Sequence, residues 1–278
     1  MVPYFPVTPR YLVPGPIYSL GHPEAGTCII DVDEAWPRYR TEKLALRAAG
    51  HGPRRTSAFS AATERAVAAR LRDPTTDAFR GSQGNSASAT ASLADLLTGL
   101  QEDLVVLRRD DKARAASARA VYVDVSFPSG WCPDCAVGQD FLSLHEPVPT
   151  TGQFGHGARA NYATALFGQG IRVRFVWTVT PDDRLDRRCC HRDPPHARSV
   201  VPDWTTADRA FLRVERQVIV PVDPETCAFL IRIHQHPASA LTAAQRETMA
   251  QALESMPDAV ADYKGLREYR ERIVALLS

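Results

Sequence analysis

The middle of the chain alternates between apolar and polar residues with the two-residue period of half-buried strands. Val121, Val123 and Val125 alternate with tyrosine, aspartate and serine, so one side of this segment is expected to face a core. A turn sequence at 223–226 separates two later runs, which predicts an antiparallel hairpin. The predicted strands are Asp103–Leu107, Val121–Phe127, Ile171–Val179, Phe211–Val222 and Cys227–His234.

Helical patterns precede and follow this block of strands. Ser92 is positioned to cap a helix whose leucines have helical spacing, and Thr242 with Gln245 forms a capping box. The predicted helices are Asp33–Ala49, Ser60–Leu71, Ser92–Leu100, Thr242–Met256 and Ala259–Leu277. A central block of strands with helices on either side, and no regular alternation of the two, predicts the α+β class.

The N-terminal region differs in composition from the rest of the chain. Residues 1–40 are rich in proline and aromatic side chains, which predicts an extended arm packed on the body. Residues 81–92 contain no large apolar side chain and are predicted to form a loop. We therefore expect an arm with helices in residues 1–95, packed on a core in residues 96–278, within one compact unit.

The overall composition restricts the class of function. The chain has 278 residues, with 33 basic and 32 acidic side chains and a net charge of +1, so no binding of nucleic acid is expected. No run of 18 apolar residues and no signal-peptide pattern occur, which predicts a cytoplasmic protein without a membrane partner. No glycine-rich phosphate loop is found either.

The cysteines form two groups that could ligate a metal. They are Cys132, Cys135, Cys189 and Cys190, followed closely by His191 and His196. Zinc prefers four such ligands in a tetrahedron, often including one C-x-x-C pair. Adjacent cysteines rarely both bind one metal. The alternatives to a structural zinc site are therefore unpaired thiols or a redox-sensitive pair.

A short helix after the second predicted strand ends near a histidine. Pro128 and Gly130 break the strand, and Pro147 and Pro149 stop the helix just after His145. A histidine at a helix end that faces a sheet can be the axial ligand of a flat cofactor between the two. The alternative is a capping or core residue, because a charged histidine suits the negative end of a helix dipole.

Six short motifs follow one another in a characteristic order along the chain. They are Gln101–Leu107, Phe127–Trp131, Leu144–Pro149, Arg174–Val179, Arg213–Gln217 and Tyr263–Leu266. This series resembles the haem-dependent oxidative N-demethylase family, whose catalytic alpha subunit is a haem-binding PAS-like domain. The resemblance spans about residues 95–270. It implies a PAS-like antiparallel sheet with a haem-binding helix, flanked by N- and C-terminal helices.

The resemblance also assigns residues to a cofactor site. Haem b needs an axial ligand, an apolar slot and cationic partners for its propionates. The family motif implies that His145 is the proximal ligand of the iron. Trp131, Arg172 and Arg216 are predicted to contact the cofactor.

Polar residues of two strands are predicted to form the catalytic wall of the site. Arg174, Arg213 and Glu215 would face O2 and the substrate nitrogen, with a cation to stabilise developing charge and a carboxylate to hold an ammonium or carry protons. The alternative is a cross-strand ion pair on an exposed hairpin. Val176 stands where the family usually has an asparagine, which suggests a different or more apolar substrate.

The function implied by the resemblance is oxidation of a small, amine-like substrate by O2, such as N-demethylation. The chain has no flavin or nicotinamide fingerprint and no ferredoxin-type cysteine run. Electrons would therefore come from a separate flavin or iron–sulfur reductase. A haem-based gas sensor is an alternative, because one scaffold can host several functions. A zinc-stabilised protein without haem is a third.

Overall fold

The computed structural model shows an antiparallel sheet with helices packed on it. It describes residues 2, 4–11, 17–19, 21–22, 25, 28–72, 79–80, 92–109, 118–145, 148–149, 166–168, 170–189, 204 and 206–278. The strands are β1 (Ile17–Ser19), β2 (Ile30–Asp31), β3 (Arg54–Arg55), β4 (Phe79–Arg80), β5 (Asp103–Arg109), β6 (Ala118–Asp124), β7 (Arg172–Thr180), β8 (Phe211–Asp223) and β9 (Thr226–Pro237). Seven of them form one sheet in the order β1-β7-β8-β9-β5-β6-β3, and β2 pairs with β4.

The helices lie before, between and after these strands. They are α1 (Trp36–Ala48), α2 (Ala61–Arg72), α3 (Leu93–Thr98), α4 (Pro133–Ala136), α5 (Phe141–His145), α6 (Ala243–Glu254), α7 (Asp258–Tyr263) and α8 (Arg270–Leu277). No helix in the described part of the chain is long and apolar enough to cross a membrane. The α+β class predicted from the sequence is confirmed.

The long strands confirm the predicted pattern of alternation. β8 and β9 form the predicted hairpin, with Asp223 paired to Thr226. The predicted cap and the predicted capping box are both present: Ser92 accepts a hydrogen bond from the amide of Asp95, and Thr242 accepts one from that of Gln245. The predicted loop at 81–92 lies outside the described residues, apart from Ser92.

One predicted helix is wrong, because the chain does not stay helical from Ala259 to Leu277. Gly265 adopts a φ of 67°, a left-handed conformation that glycine tolerates and that commonly ends helices. The amide of Leu266 turns back to donate to the carbonyl of Ala261 at 2.8 Å. The break separates α7 from α8 and leaves Lys264 on the turn between them.

The back face of the sheet, which carries Val173, Phe175, Trp177, Val214 and Leu230, forms the larger core. Its apolar residues pack against buried side chains of α2, α3, α6, α7 and α8. The N-terminal arm packs on the same core: Val7 is buried there, and Tyr4 and Phe5 are partly buried against it. This face is therefore covered by helices and by the arm.

The front face of the sheet carries Arg174, Val176, Glu215, Gln217 and Phe229. These residues share a face because Arg174 pairs with Gln217 and Val176 pairs with Glu215 in the register of β7 and β8. Helices α4 and α5 and residues 166–167 pack on this side around a smaller apolar cluster. The front face thus combines an apolar patch with charged groups.

Candidate functional site

His145 ends α5 and lies on the front-face side of the sheet. Its Nδ1 is 2.7 Å from the carbonyl oxygen of Phe141, and its ring packs 4.2 Å from the Phe141 ring. A carbonyl oxygen only accepts, so Nδ1 carries the proton, and the lone pair of the neutral ring lies on Nε2. This is the tautomer in which a histidine ligates a metal through Nε2.

The charge state of His145 weakens the charge–dipole part of the capping alternative, although the bond from Nδ1 to the Phe141 carbonyl is itself a contact at the helix end. Burial lowers its pKa, and the nearby cation of Arg174 lowers it further, against the opposing effect of the Phe141 hydrogen bond. The protein environment therefore favours the neutral form of the imidazole. A neutral ring gains little from a helix dipole, whereas it is the form that binds a metal.

An apolar surface lies beside this histidine. Its side chains are only partly buried although they pack on the front-face cluster; they are Trp131, Val137, Phe141, Leu144, Phe167 and Phe229. Half-buried aromatic and aliphatic side chains next to a neutral histidine match what the flat face of a haem requires. The chemistry of these residues is compatible with a haem, and the assignment of His145 as its ligand and of Trp131 as an apolar contact stays a prediction.

The predicted cations of β7 lie at the edge of this surface. Arg174 is close enough to His145 to lower its pKa. Arg172 is two residues away on the same strand face, and its guanidinium donates to Ser19 Oγ at 2.7 Å. Both arginines are thus on the side of the sheet where propionates or an anionic group could be bound.

Glu215 is the central charged group of the front face. It is half-buried, and its Oε2 accepts a 2.7 Å hydrogen bond from Nε2 of Gln217. Its negative charge raises the pKa of Arg213, of Tyr263 and of Lys264 relative to what burial alone would give. A held carboxylate surrounded by cations can orient an ammonium or exchange a proton with a bound substrate.

Arg213 lies under this site as a buried scaffold cation. Its guanidinium donates to Oγ of Ser129 and to the carbonyls of Phe127, Arg184 and Leu185. Burial lowers its pKa to about 10, partly offset by Glu215. Arg213 thus fixes the loop after β6 and supplies charge beside Glu215, while its hydrogen bonds go to the protein.

Arg216 is not brought together with the other predicted residues. It projects from the back face of β8, where its guanidinium donates to the carbonyls of Cys28 and Ile29 and lies 5.7 Å from the Tyr4 ring. The sheet separates it from His145. Strand alternation explains this placement, since Glu215 precedes it and points to the front.

Three polar residues of the site could not be assigned to it from the sequence motifs alone. Gln217 lies in the motif Arg213–Gln217, but only its hydrogen bond to Glu215 in the structure connects it with the site. Tyr263 and Lys264 lie in the motif Tyr263–Leu266, and both interact with the charge of Glu215. The available signal was Gly265, since a glycine after a helical run often ends the helix and fixes the residues before it.

The cysteine groups approach one another on the rim of the same region. Ser129 pairs with Arg187 in a parallel bridge, and the amide of Cys189 donates to the carbonyl of Trp131 at 3.4 Å. Cys132 is buried and Cys135 is exposed. In the part of the chain that the structure describes, no three metal-binding side chains cluster; Cys190, His191 and His196 lie outside that part. A zinc site stays a prediction.

A family model described as "haem-dependent oxidative N-demethylase, alpha subunit-like" matches residues 53–274. The chain belongs to this family. The match includes α5, β7, β8 and α7, and therefore His145, Glu215 and Lys264. The family description names haem dependence and an oxidative activity, and the term alpha subunit implies a partner subunit. The N-terminal arm and α1 lie outside the matched range.

Proposed function

We propose that this chain is the haem-binding catalytic subunit of an enzyme that uses O2 to oxidise a small nitrogen-containing substrate, in the manner of an N-demethylase. The observation that carries the proposal is the fixed neutral tautomer of His145 beside a half-buried aromatic surface. The family match supports the same reading independently of this geometry.

The cofactor would be haem b, held by His145, with Trp131 in the apolar slot and Arg172 toward the propionates. When bound, the haem supplies O2 activation and electron transfer, which no side chain of the chain can supply. Arg216, on the back face, would act on the cofactor only indirectly, by fixing the strand that carries Glu215.

The polar front-face residues would handle the substrate and its protons. Glu215, oriented by Gln217, would face the substrate nitrogen and hold it as an ammonium or accept its proton. Arg174 would stabilise negative charge that develops as O2 is reduced. Arg213 would hold the loop and the local charge in place without touching the substrate.

The electron donor in this proposal is a separate reductase subunit with flavin or an iron–sulfur cluster. The term alpha subunit in the family description supports a multi-subunit assembly. The enzyme reading is favoured over a haem sensor by Glu215 and Gln217, because a sensor needs no oriented carboxylate next to its ligand.

The experiment is reconstitution of the purified chain with haemin, followed by electron supply from a generic ferredoxin reductase system. We expect about one haem per chain, a Soret band and release of formaldehyde from N-methylated amines. The haem-free chain, prepared in parallel, is the control and should release none. A chain that binds no haem would refute the cofactor, and a haem-loaded chain that oxidises no amine would leave the sensor as the better account.

A further inference from the structure

Lys264 occupies an unusual position for a surface lysine. It follows α7 at the helix end that Gly265 fixes, and its Nζ donates to the carbonyl of Trp177 on β7 at 2.8 Å. The ammonium also lies 5.9 Å from the centroid of the Tyr11 ring. Its stem is therefore held against the outer edge of β7, close to Val176, which is the residue paired with Glu215.

The charge of Lys264 interacts with two charges of the front face. Burial lowers its pKa to about 8, with Arg174 lowering it as well and Glu215 acting in the opposite direction. The side chains of Arg174 and Glu215 both project from the front face. Among the described residues no ion pair joins Lys264 to Glu215, whose Oε2 is bonded to Gln217. The two charges therefore interact without a direct contact.

The balance of charge around these two groups is positive. Glu215 already lies beside the buried cation of Arg213. Lys264 adds a second cation, and Arg174 is near enough to disfavour its charge. A purely cationic amine would enter a region with more positive than negative charge, which costs free energy in a partly desolvated site. A ligand that brings its own negative charge would relieve this repulsion.

We propose that the substrate is a small N-methylated amino acid, whose carboxylate is held by Lys264 and whose ammonium faces Glu215. This inference rests on the proposed function, since it assumes that the front face is the substrate site. Lys264 reaches the edge of β7 from the turn after α7, and Glu215 lies on the neighbouring strand β8, so one compact molecule with both groups could contact them together. Val176, which pairs with Glu215 on this face, contributes no polar side chain of its own.

A haem propionate could supply the same carboxylate to Lys264. Removing the lysine distinguishes a substrate carboxylate from a haem propionate. If Lys264 holds the substrate, its loss alters ligand preference and leaves haem affinity intact. If it holds a propionate, its loss weakens haem binding and leaves ligand preference intact.

The test compares N,N-dimethylglycine with dimethylamine, which share the methylated nitrogen and differ in the carboxylate. Binding to the haem-loaded chain is measured by calorimetry, and haem affinity is measured in the same samples. We expect dimethylglycine to bind at least about tenfold more tightly, the scale of one charge-assisted hydrogen bond. Lys264→Met should remove that preference, while Lys264→Arg should retain most of it.

Arg267→Met is the matched control, because Arg267 is an exposed cation three residues away that pairs with Asp262 and Asp258. It should leave the preference unchanged. Equal or tighter binding of dimethylamine to the unmodified chain, or no binding of either probe, would overturn the inference. Weaker haem binding by Lys264→Met with an unchanged preference would assign the lysine to a propionate and overturn it too. A chain without a Soret band would instead refute the proposed function.

Discussion

The two faces of the central sheet carry charged side chains in different surroundings. On the back face, Arg216 is fully buried and its guanidinium donates to the carbonyls of Cys28 and Ile29. On the front face, the adjacent Glu215 is half-buried and held by Gln217. Buried groups that donate to backbone carbonyls maintain the fold, whereas partly accessible groups next to an apolar surface are available to a ligand.

The largest effect that we expect concerns stability on the back face. Arg216→Met should lower the free energy of unfolding by about 2–5 kcal/mol, because it leaves two buried carbonyl groups without their donor. Urea denaturation of the haem-free chain measures this. Arg119→Met, which removes an exposed arginine of β6, should change it by less than about 0.5 kcal/mol. Equal effects of the two substitutions would remove the distinction between the faces.

Substitutions on the front face should slow the reaction strongly and change the stability little. Glu215→Gln and Arg174→Ala should each slow substrate oxidation by roughly 10²-fold, the scale of losing a positioned acid–base or electrostatic group. Glu215→Gln should change the free energy of unfolding by less than about 1 kcal/mol, because a half-buried amide replaces a carboxylate of equal shape. Steady-state rates with a reductase measure the first effect. Unchanged rates in both variants would mean that these residues form an ordinary cross-strand pair.

The pH dependence of stability should report on the back-face histidines. Burial lowers the pKa of His234 well below 6.5, as do the charges of Arg232, His236 and Arg216. Because its pKa in the folded chain is lower than in the unfolded chain, its contribution to stability is present above pH 6.5 and is lost as the pH falls below it. The loss is up to about 1.4 kcal/mol per pH unit for one proton.

Urea denaturation of the haem-free chain between pH 7.5 and pH 5 measures this slope in the unmodified protein and in His234→Gln. The slope should become shallower in the variant, because one group that must take up a proton on unfolding is gone. His51→Gln, which changes a loop histidine, is the control. An identical slope in all three proteins would show that His234 is not held neutral by the fold.

The smallest effect is expected at the cysteines on the rim of the front face. Cys135→Ser and Cys189→Ser should leave haem content and turnover within about twofold, because haem-dependent oxidation needs no thiolate nucleophile. Elemental analysis of the same samples determines zinc, and a structural site would give about one zinc per chain. Loss of turnover in Cys189→Ser with folding and haem intact would extend the site to these residues.

The strands and their faces could be predicted because alternation is a local property. The register of β8 and β9 follows from the predicted hairpin. The register that places Arg174 beside Gln217 joins β7 to β8 across residues 181–210, and no turn motif fixes it. The role of Arg213 could not be predicted, since its partners Phe127 and Leu185 are 86 and 28 residues away in the sequence. Lys264 was missed for a different reason: helical periodicity continued across Gly265, and one backbone angle decided the break.

The central claim is that His145 ligates a haem on the front face. The most direct measurement is the visible spectrum of haem-reconstituted His145→Gly with and without added imidazole, since free imidazole can occupy the space of a deleted histidine ligand. We predict a loss or shift of the Soret band in the variant and its recovery with imidazole, with His51→Gly unchanged throughout. A His145→Gly spectrum identical to that of the unmodified protein, at equal haem content, would contradict the account.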